Sequence, residues 1–363
     1  MTVMKRVKAL IYSALPPPVG GVASIAAMLY QSLSENGKVG FQSPAKKSSG
    51  FSAAISRLFI NIVRLGWAIV HVKRGGRVLL FAGAGNSFFE KIIWSLLIMI
   101  SGRTVAMVMV DGNFPIFWDK CSPFWRRISS RIVCHPQFTL GVQSEAWQDY
   151  YRRAFPSALI KVVGATAAPE FFSHTPQAGL PSRGMSLLYV GWIIPEKGIT
   201  DLLDAMVILI KTHPEVRLRL VGPLFGKDEY WNKAVADRGI STQVKFTGPI
   251  SDRSRLIKEF DNASVFVFPS HFEGFPVALL EAITMGLACV GTTVGGIPDI
   301  LDHGRAGIVV SPHAPQELAN ALKSLFDDNE LIEKYSKQAA MRARSIYSHS
   351  ECIESYKRLL GLE

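Results

Sequence analysis

Short β-like runs alternate with helix-length amphipathic segments from one end of this 363-residue chain to the other. That alternation is the pattern of helices layered on mostly parallel sheets, so the expected class is α/β. The candidate strands fall into two groups. Lys8–Ser13, Val78–Ala82, Thr104–Val110 and Phe138–Gln143 lie in the first half. Ser186–Val190, Val216–Val221, Val244–Thr247, Ser264–Pro269, Ala288–Thr292 and Gly307–Val310 lie in the second. Between the groups, Pro169–Gly184 carries Pro169, Pro176, Pro181 and two glycines with no apolar period, which reads as a linker. Two Rossmann-like, doubly wound domains are expected, residues 1–170 and 171–345. Helical patterns follow at Pro315–Asp327, Asn329–Ile346 and Ser350–Leu359, and residues 346–363 are read as a C-terminal helix able to pack back on the first domain.

Hydrophobic residues make up 48% of the chain, but its longest uninterrupted apolar stretches fall short of the roughly 18 residues that a membrane span needs. The N-terminus lacks the apolar core and small-residue cleavage site of a signal peptide, so cytoplasmic residence is expected. Cys121, Cys134, Cys289 and Cys352 show neither paired nor zinc-ligand spacing and are read as free thiols, His135 beside Cys134 included. Charge is uneven. Residues 1–170 hold 20 Lys and Arg against 7 Asp and Glu, and the remainder 20 against 22. A basic first half suggests an anionic partner: nucleic acid, a phospholipid surface or a phosphorylated substrate.

Two segments of that half bear on lipid. In Phe51–Val72, apolar Ile55, Leu58, Phe59, Ile62, Val63, Trp67 and Val70 accompany a narrow basic stripe formed by Arg57, Asn61 and Arg64. An ordinary helix packed on the sheet is favoured. An interfacial helix on anionic lipid is the sharper alternative, strengthened by Lys46, Lys47, Lys73, Arg74 and Arg77 nearby. The run Ile92–Ile100 is short and reads as a core helix.

The second half offers more chemistry. Glu273 and Glu281 are eight positions apart, which in an unbroken helix means about 12 Å along the axis and about 80° around it. They are therefore not a catalytic pair on one helix. Phe275-Pro276 suits the first turn of a helix, leaving Glu273 in the preceding loop and Glu281 inside the helix. A helix N-terminus between two carboxylates offers N–H groups to an anion, while each carboxylate accepts from hydroxyls. A molecule with sugar, diphosphate and ribose in a row matches that layout.

These residues resemble the retaining GT-B glycosyltransferases of family 4. The resemblance rests on Glu273 to Glu281, then Met285-Gly286 and Gly295-Gly296-Ile297-Pro298-Asp299, and upstream on Leu188–Gly198, Leu220–Pro223 and Phe246–Gly248. It is close from about Leu187 to Pro312. It implies a GT-B fold, with the two Rossmann-like domains facing a cleft, the first binding acceptor and the second nucleotide sugar. Residue by residue, it implies that Glu281 binds the ribose hydroxyls and that Glu273 sits by the transferred sugar. Gly274, Phe275 and Pro276 would lie along the diphosphate and sugar, with Gly191 beside them. Lys197 would neutralise the diphosphate as it leaves, and Gly248 and Ile250 would lie near the base. Two departures stand out. Trp192 occupies the position where relatives carry a diphosphate-binding arginine, and Asp299 replaces a glutamate.

In the first half, Gly20 and Gly21 follow the first strand and match the family's loop facing the donor, although a pair of glycines is also common turn chemistry. Asp111 stands where relatives often carry a histidine beside the sugar, and a site role is weighed evenly against a strand-end turn. The implied reaction moves a sugar from a nucleotide diphosphate to an acceptor hydroxyl with retained configuration and needs neither metal nor cofactor. The acceptor is expected to be a lipid-linked or polysaccharide or lipopolysaccharide precursor, with the protein at the inner face of the cytoplasmic membrane. A non-catalytic sugar-nucleotide-binding partner subunit and a nucleotide-sugar epimerase of the same architecture are the alternatives. Nucleic acid is disfavoured, since the basic residues form no recognition motif.

Overall fold

The computed structural model describes residues 7–13, 21–34, 39–42, 60–61, 63, 65–66, 69–174, 184–224 and 228–362. The chain divides into two compact units: residues 1–164 with 350–363, and residues 165–349. The division falls after Gly164, ahead of the expected linker. The first linker residues, Pro169–Ser173, form a short helix, and residues 175–183 lie outside the described residues.

The first unit holds β1 (Val7–Tyr12), β2 (Val39–Gln42), β3 (Val72–Ala82), β4 (Thr104–Met109), β5 (Phe138–Val142) and β6 (Leu159–Val162). They form one parallel sheet in the order β2-β1-β3-β4-β5-β6. Helices α1 (Gly21–Leu33), α2 (Asn86–Ile100), α3 (Phe114–Lys120), α4 (Pro123–Val133) and α5 (Glu145–Ala154) connect them. The central strands are buried on both faces, which is why Val78–Ala82 and Val105–Met109 read as nearly continuous apolar runs. Strands β2 and β6 were not expected from the sequence. Both are four-residue edge strands, and β6 buries little, so neither carries the apolar signature of a central strand.

Three expectations are corrected in this unit. Strand β3 begins at Val72, so Lys73, Arg74 and Arg77 belong to a strand and not to the flank of a helix. In the helical residues described between 60 and 71, Asn61 is buried while Val63 and Val70 are exposed, the reverse of the expected basic stripe. The Tyr12 hydroxyl lies 3.5 Å from the Asn61 side-chain oxygen, which gives the buried amide a polar neighbour. The remaining stripe residues Arg57 and Arg64, with Lys46 and Lys47, lie outside the described residues. Lastly, α2 is not wholly a core helix: Ile93, Leu96, Leu97 and Ile100 face outward.

The second unit holds β7 (Ser186–Val190), β8 (Arg217–Val221), β9 (Val244–Gly248), β10 (Val265–Phe268), β11 (Ala288–Thr292) and β12 (Ile308–Val310). Its helices are α6 (Pro169–Ser173), α7 (Ile199–Leu209), α8 (Asp228–Asp237), α9 (Arg253–Asp261), α10 (Val277–Thr284), α11 (Ile297–Ile300), α12 (Pro315–Asp327) and α13 (Asn329–Ser345). All strands are parallel, in the order β12-β11-β10-β7-β8-β9. This is the doubly wound order, and its winding direction reverses between β7 and β10. The crevice outside the carboxyl ends of those two strands is where such sheets bind ligands.

The C-terminal helix α14 (His349–Leu360) belongs, from Ser350 onward, to the first unit. There Tyr356, Leu359 and Leu360 are buried, Arg77 donates to the Leu359 carbonyl, and Ser355 Oγ donates to the Val163 carbonyl at 2.7 Å. Among the described residues no helix is long and apolar enough to cross a membrane.

Candidate functional site

Most of the segments singled out in the second half end up at the carboxyl side of the second sheet. Gly191–Lys197 follows β7, and Pro269–Phe275 follows β10, so the two loops flank the reversal point. They are laced together. His271 N–H donates to the Glu196 carbonyl at 3.0 Å. Gly198 has a φ of +69°, and a Cβ there would come within 1.9 Å of the Pro269 carbonyl oxygen. Only glycine meets both demands, left-handed backbone and backbone-to-backbone contact.

That lacing brings Lys197 to Glu273. The ammonium lies 2.5 Å from Glu273 Oε2 and also donates to the Phe272 carbonyl at 3.3 Å. Both side chains are largely withdrawn from solvent, so the pair is stronger than a surface ion pair and each member holds the other in place. A third loop supports Glu273 from behind. Gly295, at φ +57°, sits so close that a Cβ would come within 2.0 Å of the Glu273 carbonyl oxygen, and Gly296 N–H donates to the Gly274 carbonyl at 2.8 Å. The glycine pair after β11 is thus explained by packing against the loop of Glu273.

Glu281 lies inside α10, as expected, and is buried. Pro276 is the N-cap and not the first helical residue, and it supplies no side-chain cap to the N–H groups of the first turn. Burial pushes the Glu281 carboxyl up to about 7, and Arg253 acts against that shift through its charge and its hydrogen bond. Arg253 Nη1 donates to Glu281 Oε1 at 3.0 Å. Sequence reasoning missed Arg253. Its partner is 28 positions away on another element, so no local spacing announces the pair. Arg253 opens α9, a few residues after Gly248 and Ile250, and its bond to Glu281 ties the loop after β9 to α10. Gly248 has a φ of +75° and accepts from Gly222 N–H at 3.0 Å.

Tyr189, also missed, is fully buried beneath this site. Its hydroxyl donates to the Trp192 carbonyl at 2.9 Å. Burial, reinforced by the negative charge of Glu273, holds its pKa well above the ordinary tyrosine value, so the hydroxyl stays protonated and keeps donating. Trp192 itself presents an exposed indole where a cation was the familiar residue. The Phe275 ring is buried, 5.7 Å from that of Tyr347, and packs under Gly296, so this residue offers a ligand its backbone more than its ring. Asp299 is anchored through its carbonyl, which accepts from Arg342 at 2.6 Å and from the Tyr347 hydroxyl at 3.1 Å.

In the first unit, Gly20 lies outside the described residues and Gly21 opens α1. Asp111 follows β4. One of its oxygens accepts from Ala84 N–H at 3.0 Å and the other from Asn113 N–H at 2.8 Å. The carboxylate thus ties the end of β3 to the turn after β4, which is the strand-end role weighed above.

One group of side chains has metal-ligand composition. Asp201, His271 and His313 each offer one atom within 4.8 Å of the others. His271 Nε2 is 2.8 Å from Asp201 Oδ2, and the two imidazole rings are 3.6 Å apart, centroid to centroid. The rings are tilted by 37° to each other, and the His271–Asp201 contact already engages one ligand atom of each. The trio holds the loop after β10 against the start of α7.

Residues 172–342 match the family Glycosyl transferases group 1. A D-inositol 3-phosphate glycosyltransferase of Streptomyces griseus is 33% identical over 201 residues, which is 53% of this chain and 42% of that protein. The chain therefore spans less than half the length of that curated relative. Among solved structures, sucrose-phosphate synthase from Thermosynechococcus elongatus superposes with a TM-score of 0.79 at 17% identity, covering 98% of this chain and all of that one. Anabaena HepE, crystallised with UDP, superposes with a TM-score of 0.76 at 17% identity and the same coverage. The fold is GT-B, and within its second unit residues 172–342 are similar to the Glycosyl transferases group 1 family.

Proposed function

We propose that this protein is a retaining glycosyltransferase of family 4 that moves a sugar from a nucleotide diphosphate to an acceptor hydroxyl. The observation that carries the proposal is the pair of ionic contacts at the sheet reversal, Lys197 with Glu273 and Arg253 with Glu281. Together they supply two cations and two hydroxyl acceptors next to the uncapped N-terminus of α10, which is the chemistry a nucleotide sugar requires. Glu281 binds the ribose, and the Gly248–Ile250 loop lies beside the base. Gly191, Gly274 and the backbone of Phe275 and Pro276 follow the diphosphate and sugar. Glu273 orients the sugar, and Lys197 stabilises negative charge on the departing diphosphate. That diphosphate takes the acceptor proton on the face it leaves, so no protein nucleophile is required.

Catalysis proceeds without a metal or cofactor in this reading, and turnover is expected to be unchanged by EDTA. The acceptor is a lipid-linked or polysaccharide precursor, bound by the basic first unit at the cytoplasmic face of the membrane, while Gly20 and Gly21 serve donor binding. HepE was crystallised with UDP, so uridine diphosphate sugars are the first donors to try. Calorimetry against a panel of nucleotide sugars should give saturable binding of one member. Turnover of that donor with a lipid extract should then release nucleotide diphosphate. Binding without release under any acceptor would favour the non-catalytic partner subunit, and release of an altered free sugar would favour the epimerase.

A further inference from the structure

The last turns of α2 present an arrangement that neither fold nor donor chemistry explains. Ile93, Leu96, Leu97 and Ile100 are 52%, 43%, 44% and 75% exposed, while Ile92, Trp94, Ile98 and Met99 on the other side fill the core. A helix that is apolar all round is ordinarily covered on every side, because water opposes the exposure of each aliphatic side chain. The spacing continues the row upstream. Phe89, four residues before Ile93, packs its ring 5.2 Å from Trp125 of α4, which in turn meets Phe124, 65% exposed, at 5.4 Å. The result is one apolar stripe from α4 along α2 to Ile100.

Both ends of the stripe are basic. At its far end, Gly75 N–H donates to the Gly102 carbonyl at 2.9 Å, which sets the exposed Lys73 and Arg74 of β3 beside the end of α2. At its near end, Arg127 and Arg131 are exposed on α4. Acidic residues between Val72 and Val133 number only Glu90, Asp111 and Asp119. Glu90 is paired with Lys91, Asp111 is held by two backbone N–H groups, and Asp119 lies 4.0 Å from Arg126.

We infer that this stripe is the face on which the protein docks to an anionic phospholipid surface, with the aliphatic side chains entering the acyl boundary and the flanking cations meeting the headgroups. An apolar stripe alone fits a second protein copy as well. Cations at both ends, with the nearby carboxylates already engaged, favour a negatively charged interface over a copy of the same basic unit. The inference deepens the lipid-linked acceptor reading and rests on it for its purpose, but the binding itself needs neither donor nor acceptor.

The test is co-sedimentation of the full chain with vesicles of phosphatidylcholine alone or with one third phosphatidylglycerol, at low and high salt. Binding to the anionic vesicles is expected, weakened by salt and weak on the neutral ones. Burying one Ile or Leu is worth about tenfold in partition, so Ile93→Glu with Leu97→Glu should lower binding by roughly a hundredfold. Arg127→Gln with Arg131→Gln should lower binding to anionic vesicles only. Circular dichroism and nucleotide-sugar calorimetry show whether each variant remains folded. Equal binding by the folded Ile93→Glu, Leu97→Glu variant would overturn the inference. So would a lipid-free dimer, seen by light scattering, that this variant converts to monomer. A protein that binds vesicles but turns over no donor would sink the transferase reading alone.

Discussion

Each unit places an acidic residue just past the end of a central strand, Asp111 after β4 and Glu273 after β10. The two carboxylates have different prospects because different groups occupy their oxygens. Both oxygens of Asp111 accept from backbone N–H groups, which fix the carboxylate to the strand ends whether or not a ligand is present. Glu273 is met by a lysine, a partner that can re-aim at a phosphate while the carboxylate turns to a hydroxyl. A carboxylate in the right place is thus only half of a site, and what it already binds decides whether it is structure or chemistry.

The largest effect expected from that contrast is at Lys197. Lys197→Ala should lower kcat by roughly 10²- to 10³-fold, the loss typical of one group that stabilises developing charge, with donor affinity changed far less. A rise in KM with kcat preserved would assign Lys197 to ground-state binding instead. Glu281→Ala should act the other way, weakening nucleotide-sugar binding by about tenfold or more through lost charge-assisted hydrogen bonds to the ribose. Because Arg253 is about one third exposed, it can turn to solvent when its partner is removed, so the stability cost should stay well below that of a fully buried pair. Calorimetry and thermal unfolding of the same variant separate the two effects.

The contrast between the units extends to what could be read in advance. In the second unit the proposed chemistry rests on short contiguous segments, Leu188–Gly198 and His271–Glu281, so spacing along the chain could be read directly. Eight of the ten strands visible in the sequence are interior to their sheets, where burial on both faces favours apolar runs. The edge strands Val39–Gln42 and Leu159–Val162 were not visible, and neither was the basic start of β3. Arg253 escaped because its meaning depends on Glu281, which only tertiary packing brings near. The exposure of α2 escaped because composition cannot distinguish a helix covered on every side from one covered on half.

The buried state of Glu281 adds a pH dependence to the second unit. With its carboxyl raised to about 7 in the folded protein, the folded state holds its proton more tightly than the unfolded state does. Its contribution to stability is therefore complete below the ordinary glutamate range and is lost as pH rises through about 7. Donor binding should run oppositely, since only the carboxylate accepts from both ribose hydroxyls. Affinity is expected to rise about tenfold from pH 6 to pH 8. Glu281→Gln should flatten both curves, and a pH dependence of the same size in that variant would assign the titration to another group.

The smallest effect should come from Asp111, and it is the sharpest test of the contrast. If its role is to hold the strand ends, Asp111→Ala removes acceptors from Ala84 and Asn113 N–H, which sit at a partly exposed turn where water can replace them. The cost should then be about 1 kcal/mol, a shift of a few degrees in Tm, with kcat and KM nearly unchanged. Asp111→Asn keeps one carbonyl oxygen and should recover part of that stability. If Asp111 instead acts on sugar or acceptor, the order reverses: turnover falls in both variants while Tm barely moves. The Asn variant separates the two cases, because it preserves a hydrogen-bond acceptor for the backbone but removes the charge that a reacting sugar would feel.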